Sequence, residues 1–94
     1  HRYRIEAPNG RYRLRIHFTD EYDPKGEIRD MAYEVEGRRV LDGFNVVKAA
    51  GGVNKVVIRE FEIQVKDGNG LDINGFERRE NHDVFEAAIE LIPL

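Results

Sequence analysis

The chain has 94 residues, of which 40% are hydrophobic and 35% charged, and it carries a formal net charge of −3 from 15 Lys plus Arg against 18 Asp plus Glu. That size allows one domain with one modest core, and the small negative balance argues against nucleic acid as a general partner. There is no Cys and no Ser, and Thr19 is the one threonine, so disulfides, thiolate chemistry, serine acyl transfer and N-glycosylation acceptors are excluded.

Strand-like sequence begins within two residues of His1, as expected of a mature or excised segment. Tyr3, Ile5 and Ala7 alternate with Arg2, Arg4 and Glu6, which predicts a first strand. Pro8-Asn9-Gly10 is a turn signal and predicts a hairpin into a second strand, Arg11 to Thr19. There Tyr12, Leu14, Ile16 and Phe18 share one face, and Arg11, Arg13, Arg15 and His17 the other. If the first two strands pair, Arg2 and Arg4 extend this basic stripe, which is expected to meet Glu60 and Glu62 from a neighbouring strand. Residues 20–27 form a polar loop with Tyr22, Pro24 and Gly26. A third strand spans about Arg29 to Glu36 and turns at Gly37 into a short partner, Arg39 to Leu41.

Asn45 is placed to cap a helical turn over Val46–Ala50, with Gly51 stopping it in the left-handed conformation. A strand follows from about Asn54 to Lys66. Its apolar parity slips near Arg59-Glu60, because Val56 and Ile58 are out of phase with Phe61 and Ile63; the slip predicts a β-bulge. Asp67-Gly68-Asn69-Gly70 supplies a turn. Leu71 and Ile73 begin another strand, which Asn74-Gly75 interrupts, and a charged loop runs from Glu77 to Asp83. In the last segment Phe85, Ala87, Ile89 and Leu91 fit a strand, whereas Phe85, Ala88, Ile89 and Ile92 fit a helix.

About six short strands separated by turn signals predict an all-β chain folded as an antiparallel sandwich with one helical turn near 46–50. His1, His17 and His82 have no metal-ligand spacing. The stretch Asp67 to Asp72 has a faint calcium-loop look without the distal ligands. Neither metal nor cofactor is expected. No run reaches the length of a membrane span or signal core. Glycosidase chemistry needs two carboxylates across a cleft, and a sandwich of this size offers no deep one, so no enzyme is expected.

The order of these segments carries a resemblance. Pro8-Asn9-Gly10, Tyr12, Leu14, Ile16-His17-Phe18 and Tyr22 come first, then the strand into Gly37. VLDGFNVVKAAGGVNK (40–55) and REFEIQVKDG (59–68) complete the series. Together they resemble the malectin or malectin-like carbohydrate-binding domain, over the later half of that domain, without its early strands. The resemblance implies a jelly-roll-like β-sandwich over 1–94 and favours a strand for the last segment. It implies a non-catalytic module that binds a glucan-type oligosaccharide. Such modules accompany bacterial sugar-acting enzymes such as glycoside hydrolases, or cell-surface proteins, in extracellular, periplasmic or cell-surface locations.

By position in the family pattern, the carbohydrate-binding residues would be Tyr22, Asp20 and Asp23 in one loop and His82 and Asp83 in another. An aromatic face stacks on the apolar face of a pyranose, and carboxylates accept its hydroxyl hydrogens. The family often has a second aromatic after that tyrosine; here it is Asp23. Either loop also reads as an ordinary solvated turn. The alternative reading is a structural or interaction sandwich that positions a neighbouring domain, or that forms a homodimer or joins a second protein chain through its sheet edges. Tyr3–Ala7 and Phe85–Ile92 are the candidate edges.

Overall fold

The alternating segments form seven strands among the described residues, which in this computed structural model are 2–21, 23, 25–26, 29–78 and 86–94. The strands are β1 (Arg2–Ile5), β2 (Gly10–Phe18), β3 (Met31–Val35), β4 (Arg38–Phe44), β5 (Val57–Val65), β6 (Leu71–Glu77) and β7 (Ala88–Pro93), with one helix, α1 (Val46–Ala50). One sheet has the order β1-β6-β3-β4 and the other β5-β2-β7, and every pairing is antiparallel. Only β3 and β4 are both consecutive and adjacent; each other connection changes sheet. The fold is an all-β antiparallel sandwich of jelly-roll-like connectivity.

The core lies between the sheets. The inward faces of β2, β3 and β6 supply Leu14, Ile16, Phe18, Met31, Tyr33, Leu71 and Ile73, none more than 1% exposed. Phe18 is its hub: the Tyr33 ring meets it edge-on at 5.4 Å and the Phe44 ring at 4.9 Å. Edge-to-face geometry is the favoured arrangement of aromatic quadrupoles. α1 is bracketed as expected. Asn45 Oδ1 accepts from the Lys48 N–H at 3.0 Å. Gly51 stops the helix at φ 86°, its N–H reaching Val47 O at 2.9 Å, a backbone conformation that glycine adopts without cost.

Three expectations are corrected. Pro8-Asn9-Gly10 is not a hairpin. β1 pairs with β6, and β2 with β5 and β7, so this turn carries the chain from one sheet to the other. It is pinned there by Tyr12 Oη donating to Pro8 O at 2.6 Å and by Gly68 N–H donating to Asn9 Oδ1 at 2.9 Å. Arg2 and Arg4 therefore leave the basic stripe, and Arg2 lies 3.9 Å from Asp72.

There is no bulge in β5, which pairs with β2 in unbroken register from Gly10↔Val65 to Phe18↔Val57. Its inward positions are Val57, Arg59, Phe61, Ile63 and Val65. Arg59 breaks the apolar pattern at an inward position, with its guanidinium 5.3 Å from the Phe44 ring centre. Val56 and Ile58 are 61% and 37% exposed. The irregularity lies instead between β3 and β4, where the register shifts on either side of Tyr33.

Asn74-Gly75 does not interrupt β6. Gly75 sits opposite Tyr33, and a position without a side chain leaves room for that ring.

The last segment is a strand. Ile89 and Leu91 stand opposite Ile16 and Leu14, which excludes the helical alternative over Ala88–Pro93. Residue 85 lies outside the described residues. On the outer face of the smaller sheet, Arg11 pairs with Glu62 (3.4 Å), Arg13 and Arg15 with Glu60 (3.9 and 3.0 Å), and Arg15 and His17 with Glu90 (3.6 and 2.6 Å). Pairs this exposed are screened by solvent and add little to stability.

Candidate functional site

β2 delivers the chain at Phe18 into residues 19–30, and the two acidic residues expected there turn inward. Asp20 and Asp23 are 2% and 1% exposed. Asp20 Oδ2 accepts from Arg29 Nε at 3.2 Å, and Arg29 is itself only 11% exposed in its side chain. Asp23 Oδ2 accepts from the Arg29 backbone N–H (3.2 Å) and from Asn45 Nδ2 (2.8 Å). The same Asn45 amide also donates to Arg29 O at 2.8 Å. Backbone bonds complete the framework, from Gly26 N–H to Asp23 O (3.0 Å) and from Asn54 N–H to Asp20 O (2.9 Å). Buried carboxylates persist only when paired and hydrogen-bonded in this way.

Gly26 is required where it stands. Its φ is +66°, and a Cβ there would come within 2.7 Å of Lys48 Cγ, so the loop lies directly against α1. Asn45 thus joins helix cap and loop, a connection that the sequence pattern did not reveal.

The second candidate loop starts beside the first. Asp30 N–H donates to Glu77 Oε1 at 2.8 Å, and Arg78 N–H donates to Asp30 O at 2.8 Å. Arg78 Nη1 also lies 3.1 Å from Asp42 and 3.6 Å from Asp30. On the returning side, Glu86 accepts from Tyr33 Oη at 2.8 Å, and Ala87 N–H donates to His17 O at 2.7 Å. The anchored ends of both loops therefore meet at the α1 end of the sandwich. Tyr22, His82 and Asp83 lie outside the described residues. Asp20 and Asp23 flank position 22 in the sequence, and their carboxylates are engaged by Arg29 and Asn45.

A depression of about 660 Å³ opens at the opposite end of the strands, between β4 and β5. Its half-buried Phe61 and Ile63 could have been found from the sequence only by knowing that β5 is an edge strand. The loop Asp67 to Asp72, considered for calcium, closes on itself, with Asn69 N–H donating to Asp67 Oδ1 at 2.9 Å. Among the described residues no group of three or more His, Cys, Asp or Glu is arranged to hold a metal, and no helix is long and apolar enough to cross a membrane.

The family model described as Malectin domain matches residues 1–87. No curated protein matches the chain. Two solved structures from Bacteroides uniformis are similar in fold: the crystal structure of β-glucuronidase (TM-score 0.81) and β-glucuronidase 2 covalently bound to cyclophellitol-6-carboxylate aziridine (TM-score 0.80). In each case the identity is 22%, with 99% of this chain covered. The chain spans only 10% of the length of either enzyme.

Proposed function

The chain belongs to the malectin domain family, and on that premise we propose that it is a non-catalytic carbohydrate-binding domain, an accessory module of a larger sugar-acting or cell-surface protein. The family is of a carbohydrate-binding, non-enzymatic kind. Two similar folds, each a tenth of a β-glucuronidase, support a place beside a catalytic domain; a location outside the cytoplasm is part of the same proposal and rests on the family resemblance. In this reading residues 1–94 act as one sandwich domain.

The observation that carries the reading to particular residues is the meeting of two anchored loop ends at the α1 end, through Asp30, Glu77 and Arg78. Tyr22 would stack on the apolar face of a pyranose, and His82 and Asp83 would hydrogen-bond its hydroxyls. Asp20 and Asp23 serve the site by fixing the loop on either side of Tyr22. Preorganising the loop lowers the ordering cost of binding, although an open site with one aromatic keeps the affinity weak.

Calorimetric titration with gluco-oligosaccharides tests the proposal. The parent chain should bind, and Tyr22→Ala and Asp83→Ala should each weaken binding at least about tenfold, a loss of about 1.4 kcal/mol. Binding that is unaffected by either substitution, or absent in the parent, would sink it.

A further inference from the structure

We propose that the depression between β4 and β5 is a second ligand site, one that takes an acidic saccharide bearing carboxylate or sulfate groups. It goes beyond the loop reading and does not depend on it. The two strands are outer edges of different sheets, so the space between them opens sideways as a cleft. β2 spans nine residues, about 30 Å at the rise of an extended strand, and this separates the cleft from the loop end.

The floor of the cleft is apolar: Val35, Val40, Phe61 and Ile63. Phe61 and Ile63 point inward from β5 yet stay half-buried, because no described strand lies beyond β5 to cover them. A phenyl ring flanked by branched aliphatic groups suits the C–H face of a sugar ring.

The rim is cationic, in a molecule whose net charge is negative. Four cations, Arg11, Arg38, Arg39 and Lys66, line it beside two carboxylates, Glu36 and Glu62. Both carboxylates are already engaged: Glu36 Oε2 accepts from the Asp72 N–H at 3.0 Å, and Glu62 is held by Arg11 at 3.4 Å. Arg39 spends its guanidinium on Glu34 and Asp42. Arg38 and Lys66 have no ion pair among the described residues, and they stand ready for an anion.

A neighbouring depression of about 390 Å³ shares Glu36, Gln64 and Lys66 but adds Asp67 and Asp72 against the single further cation Arg4, so the balance there tips to slightly negative. That difference orients an acidic sugar with its charged groups toward Arg38, away from Asp67 and Asp72. An acidic peptide fits less well. Adding such a strand to the β5 edge would bring its carboxylates beside Glu60 and Glu62, and like charges on adjacent strands repel.

Amide chemical-shift titration of the 94-residue chain tests this, using trigalacturonate for the carboxylate arm and a sulfated heparin-derived disaccharide for the sulfate arm. Cellotriose is the neutral control and hexaglutamate the peptide competitor. At least one acidic sugar should shift Val40, Phe61 and Ile63, bind at least tenfold more tightly than cellotriose does there, and weaken with added salt. Arg38→Glu combined with Lys66→Glu, both exposed positions, should remove that preference. Phe61→Leu should weaken the sugar and leave hexaglutamate unchanged. The proposal is overturned if neither acidic sugar moves these amides, if the preference survives the double substitution, or if hexaglutamate binds the cleft as well as the sugars do. A failure of the loop reading would show separately, as absent shifts around residues 20–30 with gluco-oligosaccharides.

Discussion

Asn45 performs two tasks with one side chain: its oxygen caps α1, and its nitrogen donates to both Asp23 and Arg29. Losing a cap alone costs about 1 kcal/mol, and leaving a buried carboxylate short of a donor adds about 1–3 kcal/mol. Asn45→Ala should therefore destabilise the domain by about 2–4 kcal/mol, read from urea midpoints. A loss near 1 kcal/mol would mean that Asp23 finds another donor and that the loop does not depend on the helix cap. Glu90 offers a pH-dependent counterpart. The hydrogen bond from His17 holds its pKa below the ordinary value; desolvation opposes the shift, and the charges of Arg15 and His17 reinforce it. A carboxylate whose folded pKa is depressed stabilises the fold above its unfolded pKa, and it loses that contribution as pH falls through the folded value. Chemical denaturation at stepped pH should show the stability difference between parent and Glu90→Gln shrinking as pH drops below the ordinary glutamate range. A difference that stays constant with pH would remove the His17–Glu90 bond from the account.

At the scale of elements, β2 and β5 separate what a local pattern reveals from what it hides. Leu14→Ala should cost about 2–5 kcal/mol, because Leu14 is fully buried. Arg13→Ala should cost under about 1 kcal/mol, and Ile58→Thr under about 0.5 kcal/mol at its exposed outward position. Thermal or urea denaturation of the three variants checks the set, and a large loss at Ile58 would restore the discarded bulge. The alternation of β2 and the bracket from Asn45 to Gly51 were legible because each is written within a few consecutive residues, whereas the last segment fitted strand and helix spacing alike and the family resemblance favoured the strand. The Pro8–Gly10 turn was not, since the same three residues serve a hairpin or a sheet change, and the choice is made by distant apolar faces. Arg59 disguised the phase of β5 by placing a cation over the Phe44 ring. Asp20 and Asp23 read as solvent-facing carboxylates because their partners, Arg29 and Asn45, come from further along the chain. For the candidate site, the sequence supplied the loops but not the buried network that supports one of them.

Across the whole molecule, four strands lie at sheet edges: β1, β4, β5 and β7. Exposed edges recruit other chains, but these are unequal. β5 presents Glu60 and Glu62, and β1 presents Arg2 and Arg4, so pairing either with its own copy sets like charges together. β7 has Glu90 as its one charged residue, and a two-fold pairing centred on Leu91 places Glu90 against Ile92. If two copies associate, β7 is the edge they use. Sedimentation at micromolar concentration should then show a dimer that Ile92→Lys weakens. A parent that stays monomeric, or a dimer indifferent to Ile92→Lys, would count against that edge.

The sheet-changing connections have a further consequence, for reassembly from pieces. Cutting the chain in the turn after α1, between residues 52 and 53, leaves one fragment with β1 to β4 and another with β5 to β7. β6 belongs between β1 and β3, while β2 belongs between β5 and β7. Each piece thus holds the central strand that the other lacks, like two interlaced combs. Apart from the β3–β4 hairpin, neither piece alone holds two strands that are neighbours in the sandwich, and together they contain every pairing of the intact chain. Residues 1–52 and 53–94, prepared separately, should each give the circular dichroism of an unfolded chain and regain a β-sheet signal when mixed. Because nearly all the pairings are distant in sequence, that recovery should be slow, as non-local strand pairing generally is. A fragment that folds unaided would show that one half of the sandwich is a self-sufficient unit and that the interlacing is not what binds the two sheets into one fold.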